Sequence, residues 1–147
     1  MLWTERVLTF EVLPELLKSI KSEGLHAAVT EHLVQTREHG PRLEEVFRAV
    51  GAEPSSNLSP PAEKLAQHHD ELAGSIPDER LADVFHAAAA AATEHLELAM
   101  YEAVLGLADS VDLGGARTFL ERNRDEEAEA LKRVQSELER LAGELRG

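Results

Sequence analysis

Residues Leu81 to Tyr101 read Leu-Ala-Asp-Val-Phe-His-Ala-Ala-Ala-Ala-Ala-Ala-Thr-Glu-His-Leu-Glu-Leu-Ala-Met-Tyr, and the chain runs on without a glycine to Gly106. Alanine, leucine and glutamate are strong helix formers, so this stretch is the organising helix. Its apolar stripe runs through Val84, Ala88, Ala91, Leu98 and Leu105, with Glu94 and His95 on or beside that stripe where another leucine is expected. An inward carboxylate must find a metal, a cation or a proton, because burying an unpaired charge is too costly.

Working outward, a first helix carries Trp3, Phe10, Leu13, Leu17 and Ile20 at three- and four-residue spacing, with Arg6 on the same stripe, Pro14 as a kink and Gly24 as its end. A second helix turns Leu25, Val29, Thr36, Leu43, Val46, Phe47 and Val50 inward together with His32 and His39, and Gly40-Pro41 interrupts it. The stretch from Ala52 to Pro61 is a loop, followed by a short helix in which Leu65 and Leu72 touch the bundle. Its His68, His69 and Asp70 read as a solvated face, since adjacent residues on a helix diverge by about 100° and do not easily chelate one ion. Asp78 is placed to cap the organising helix. A last helix points Phe119, Leu120, Asn123, Ala130, Val134, Leu138, Leu141 and Leu145 inward, with Glu127 on the same stripe. The helices are expected at about 2–22, 25–50, 79–109 and 115–145, with the short one at about 62–73.

With 147 residues, 43% of them hydrophobic and 4% aromatic, the chain suits one all-α domain over its whole length. The long connection between the second and third helices then suggests a ferritin-like four-helix bundle whose crossover contains the short extra helix. The net charge of −13, spread along the chain, argues against nucleic acid and anionic membranes as partners. No cysteine is present, so any metal is held by carboxylate and imidazole. Met1 to Phe10 lack a signal peptide's basic start and apolar run, no stretch has the length of a membrane span, and a cytoplasmic location is expected.

In such a bundle Arg6, His32, Gln35, His39, Glu94, Glu127 and Glu97 form one inward polar constellation drawn from all four helices. Thr-Glu-His-Leu occurs at 30–33 and again at 93–96, which reads as coincidence in so biased a composition. Glu23-Gly24-Leu25-His26 has Glu-x-x-His spacing but straddles a helix start rather than a bundle middle. Ser19, Ser22, Ser55, Ser56 and Ser59 lie at helix ends or in loops without a histidine and acid nearby in sequence, so nucleophilic hydrolysis has no foothold.

The motifs Leu13-Pro14-Glu15-Leu16, Glu31-His32-Leu33-Val34-Gln35-Thr36, Arg42-Leu43-Glu44-Glu45-Val46-Phe47, Glu94-His95-Leu96-Glu97-Leu98-Ala99-Met100-Tyr101 and Asp125-Glu126-Glu127 resemble the YciF-type family of ferritin-like bacterial proteins, which are linked to stress responses. The resemblance implies a four-helix bundle with a crossover helix, a homodimer and, in some members, a two-metal carboxylate site. His32, Glu94, Glu97 and Glu127 match that site. An ungapped alignment puts Arg6 where the family has a glutamate, Val34-Gln35-Thr36 where it has Glu-Glu-Thr, and Leu131 where it has an aspartate.

Two functions are therefore weighed. In the first, a stress-associated bundle with a degenerate metal site acts as a non-enzymatic interaction or scaffold module, has no cofactor, and pairs Arg6 with Glu94 or Glu127 in place of a metal. In the second, His32, Glu94, Glu97 and Glu127 hold iron or manganese for oxidase, peroxidase or iron-handling chemistry, with Tyr101 either a radical relay or a cap on the core through its hydroxyl. A small-ligand carrier ranks last, because nothing in the sequence marks a cavity and alanines 87–92 normally let helices approach closely.

Overall fold

The structure, a computed structural model, describes residues 1–54 and 60–146, with backbone alone at positions 3, 60–63, 65, 66 and 70. The expectations for Trp3, Leu65 and Asp70 and for Ser55, Ser56 and Ser59 fall outside what is described. The chain opens with α1 (Leu2–Val7), a π-helical turn (Leu8–Val12) and α2 (Leu13–Ser19), which together make the first bundle helix. It continues through α3 (Glu23–Ala49), the crossover helix α4 (Pro60–Ala73), α5 (Glu79–Ala108), a 3₁₀ turn (Gly114–Ala116) and α6 (Arg117–Arg146). The fold is the expected all-α bundle, and no strand occurs among the described residues.

Two apolar layers fill the bundle. Leu13, Leu16, Leu25, Val29, Ala87, Ala91, Val134 and Leu141 form one end, and Leu2, Leu43, Tyr101, Leu105 and Leu120 form the other. Along α3 and α5 the chain passes from the first layer to the second, and along α6 from the second to the first. The two parallel helices, α3 and α5, therefore need a connection that returns the length of the bundle, and 50–78 supplies it. Between the layers every long helix contributes polar side chains, so the site lies at mid-depth.

Local chemistry explains the ends. Asp78 caps α5, its Oδ1 accepting from the backbone N–H groups of Arg80 at 2.9 Å and Leu81 at 3.0 Å. Ser22 caps α3 by accepting from the Leu25 N–H, and the buried carboxylate of Asp83 accepts from the Lys21 and Ser22 N–H groups, tying the turn before α3 to α5. Gly24 thus falls inside the first turn of α3 instead of ending the helix before it, and the first helix stops at Ser19. Gly51, at φ +63°, stands just past the end of α3, in the left-handed region that glycine enters most readily.

The largest departure lies in the first helix. Proline has no N–H for the carbonyl four residues back and crowds it, and just upstream of Pro14 the Leu13 N–H reaches back to the Leu8 carbonyl, five residues away. A π turn holds one more residue than an α turn, so the faces on its two sides are out of phase. Leu13, Leu16 and Ile20 point inward after it, and Leu2, Thr4 and Glu5 before it. Arg6 and Phe10, expected on the inward stripe, are exposed, Phe10 to 74%. Smaller slips leave Ala88 and His95 exposed on α5 and Val50 and Leu145 at the bundle's exposed ends.

Candidate metal centre

The mid-depth layer contains Glu5 from α1, His32 and His39 from α3, Glu94 and Glu97 from α5 and Glu127 from α6, all 3% exposed or less. Two groups of potential ligand atoms occur among the described residues, each with all its atoms within 4.8 Å of one another: His32, Glu94, Glu97 and Glu127, and Glu5, His39 and Glu127. Glu127 belongs to both. Its Oε2 is 3.7 Å from His32 Nε2, and its Oε1 is 2.8 Å from His39 Nδ1. Glu94 Oε1 is 3.2 Å from His32 Nε2, and Glu5 Oε2 is 3.5 Å from His39 Nδ1.

The four residues singled out from the sequence as metal ligands, His32, Glu94, Glu97 and Glu127, thus come together. Arg6 does not join them. Its guanidinium lies at the surface against Glu44, so the ion pair expected with Glu94 or Glu127 is absent, and the inward position on the first helix is held by Glu5. The π turn shifts the inward face of the first helix by one position on its N-terminal side. An exposed pair contributes little, so Arg6→Ala is expected to change unfolding free energy by no more than about 0.5 kcal/mol. Chemical denaturation of both proteins checks this, and a loss near the roughly 3–5 kcal/mol of a broken buried pair overturns the surface assignment.

A hydrogen-bonded frame holds this layer. Arg42 Nη1 donates to Asn123 Oδ1 at 2.9 Å and to Glu126 Oε2 at 2.7 Å. Asn123 Nδ2 donates to the Tyr101 hydroxyl at 3.0 Å and to the His39 carbonyl at 3.3 Å. The Tyr101 hydroxyl donates in turn to Glu5 Oε1 at 2.5 Å. His39 Nε2 meets Glu126 Oε2 at 3.0 Å, leaving Nδ1 aimed at Glu5 and Glu127. A carboxylate behind one ring nitrogen fixes the tautomer and orientation of the other, as ligating histidines require. Glu126, Arg42 and Asn123 supply that support from α3 and α6, a pairing that no spacing within one helix reveals.

The electrostatics are those of a site short of positive charge. Burial raises Glu94 and Glu127 from 4.5 to about 7 and pushes Glu97 well up, with neighbouring carboxylates adding to the rise at Glu97 and Glu127. Burial works against a charge on His39, but Glu127 and Glu5 outweigh it and raise the ring from 6.5 to about 10. Burial lowers His32, keeping it a neutral imidazole. Glu5 Oε2, His32 Nδ1, Glu94 Oε2 and both oxygens of Glu97 are buried without a hydrogen-bond partner. Unsatisfied buried oxygens of this number are costly. The donor set fits two divalent cations, since four carboxylates balance about four positive charges once both imidazoles are neutral.

Other expected features fall differently. In the first Thr-Glu-His-Leu copy His32 is inward, whereas in the second Glu94 is, so the repeats are out of register and carry no common role. Gln35 is half-buried and accepts from Arg133 rather than joining the centre, and Glu23 and His26 are exposed. His69 is not a plain solvated face: its ring stacks on Phe85, and its Nε2 is 2.9 Å from His86 Nδ1. No helix among the described residues is long and apolar enough to cross a membrane.

The bundle and its polar mid-layer define a ferritin-like protein with a buried carboxylate and histidine cluster. The chain belongs to the family described as Domain of unknown function (DUF892), which matches residues 2–145 and bears out the YciF-type resemblance. Among solved structures it is similar to YcfI of Rhodopseudomonas palustris, with 30% identity over 91% of this chain and 85% of that one and a TM-score of 0.85. It shares the fold of the stress protein YciF of Escherichia coli, with 22% identity over 97% of this chain and 89% of that one and a TM-score of 0.89. No curated protein matches significantly.

Proposed function

We propose that the protein is a dinuclear iron or manganese protein of oxidase, peroxidase or iron-handling type. The observation that carries this reading is the pair of buried ligand groups sharing Glu127. Carboxylate and imidazole donors without thiolate suit iron and manganese. Glu5, His39 and Glu127 are the ligands for one ion, and His32, Glu94, Glu97 and Glu127 for the other. Bound there, a redox-active ion supplies electron-transfer chemistry toward dioxygen or peroxide. The chain's own part is to keep the ligands oriented through Glu126, Arg42 and Asn123, to hold the Tyr101 hydroxyl on Glu5, and to shield the layer from water with apolar side chains on both sides.

The degenerate-site reading is weakened at one of its three positions, because Arg6 leaves the core and Glu5 supplies an inward acid on the first helix, while Gln35 and Leu131 stay non-acidic. Elemental analysis of chelator-stripped protein, reloaded anaerobically with ferrous iron or with manganese and desalted, tests the proposal. Two ions retained per chain support it. Protein that emerges free of metal under both conditions overturns it.

A further inference from the structure

The bundle's sides are unequally closed. The first helix packs on α3, α3 on α6 and α6 on α5, but between the first helix and α5 the described backbone is less closely packed. A cavity of about 800 Å³ occupies that side. Alanines that normally draw helices together instead form one wall: Ala87 and Ala91 turn into the apolar core, Ala90 borders both the core and the space, and Ala88, Ala89 and Ala92 face the space. Leu8 and Val12, on the π turn, form the opposite wall.

The two ends differ chemically. At the rim stand the exposed residues Glu11, Glu15 and His68, with Glu15 paired to Lys18. At the inner end His32 and Glu94 line the cavity, both nearly fully buried, and His32 Nδ1 and Glu94 Oε2 have no hydrogen-bond partner. The volume is that of a small-molecule site, and such sites combine mostly apolar walls with a few placed polar groups. Carboxylates at both ends of the cavity, on a chain of net charge −13, disfavour an anionic ligand.

We propose that this cavity binds a neutral molecule with an apolar tail and one oxygen-bearing head, the head meeting His32 and Glu94 and the tail lying between Val12 and the alanine wall. This extends the metal-centre reading by naming the class of substrate delivered to it, and rests on that reading for the chemistry only. The probe is n-decanol, with decanoate as the charged comparison, titrated into metal-free protein by calorimetry. In manganese-loaded protein, paramagnetic broadening of the probe's NMR lines reports which end is inside.

The expected result is saturable decanol binding, with decanoate at least about tenfold weaker, a difference of 1.4 kcal/mol or more. Manganese is expected to broaden the signals beside the hydroxyl more than the terminal methyl. Ala89→Leu, which fills the middle of the cavity with a good helix former, is expected to abolish binding at unchanged helical content by circular dichroism. Ala92→Leu, at a more exposed position, provides a second variant should the first misfold. Protein that takes up metal but no decanol, or binds decanoate equally well, overturns the proposal and leaves the metal reading standing. Decanol binding lost in Ala89→Leu, in a protein that retains no metal, supports the ligand site and overturns the metal reading alone.

Discussion

Glu127→Gln is expected to abolish retention of both proposed metal ions, and Glu97→Gln of one. Glutamine keeps the shape of the side chain but loses the charge and one acceptor oxygen. Glu127 is the residue common to both ligand groups, with one oxygen turned toward each histidine. Loss of groups that merely orient ligands weakens metal sites by about 10–100-fold, so loss of a shared ligand is expected to exceed that range. Glu97 belongs to one group only, and its replacement leaves Glu5, His39 and Glu127 intact. Metal-to-protein ratios after reloading at equal free metal check this, and full retention by Glu127→Gln ends the shared-ligand assignment. A folding defect is separable from a binding defect. In the metal-free protein Glu127 is crowded by other buried carboxylates but also supports the charge on His39, so thermal scans and circular dichroism of the metal-free variant accompany the metal ratios and report any loss of folding directly.

Metal-free and metal-loaded protein are expected to respond to pH in opposite directions. Glu94 and Glu127 titrate at about 7 in the folded chain against an ordinary 4.5, so between those values the folded state holds more protons than the unfolded state. Their contribution to stability is complete below 4.5 and is lost as pH rises through 7. His39, raised from 6.5 to about 10, acts in the same direction at higher pH: its contribution is complete below 6.5 and lost as pH rises through 10. His32, lowered by burial, works the other way but is outweighed by the three raised groups, so from pH 5 to 8 the metal-free protein is expected to lose on the order of 5 kcal/mol, or roughly 15 °C in Tm for a domain of this size. Metal binding requires deprotonated ligands and strengthens over the same interval. At a thousandfold excess over Kd, bound metal adds about 4 kcal/mol. Thermal scans at pH 5, 6, 7 and 8, with chelator and with manganese, are expected to diverge as pH rises. A metal-free Tm that climbs from pH 5 to 8 contradicts the buried, protonated carboxylates.

These carboxylates show what a single helix reveals. Glu94 and Glu97 lie on an uninterrupted helix whose cap, Asp78, is also legible, so periodicity places both correctly on the inward face. Glu127 on α6 and His32 on α3 are located by the same reasoning. Glu5 is missed because the relevant signal, Pro14, lies nine positions downstream and acts through a turn of different pitch. His39 reads as inward from its own helix but not as a candidate ligand, because Glu5, Glu126 and Glu127 reach it from two other helices.

The sequence by itself determined the helical class, the order of the bundle helices, the crossover and the inward placement of His32, Glu94, Glu97 and Glu127. Each of these follows from hydrophobic period, capping and connection length within contiguous stretches of chain. Only the tertiary structure decided that Glu5 rather than Arg6 enters the core, that Glu127 serves two ligand groups, and that the alanine run borders a cavity. Those outcomes depend on the rotation of one helical segment against another and on the spacing between helices. Side chains distant in sequence set both jointly, and no local pattern records them.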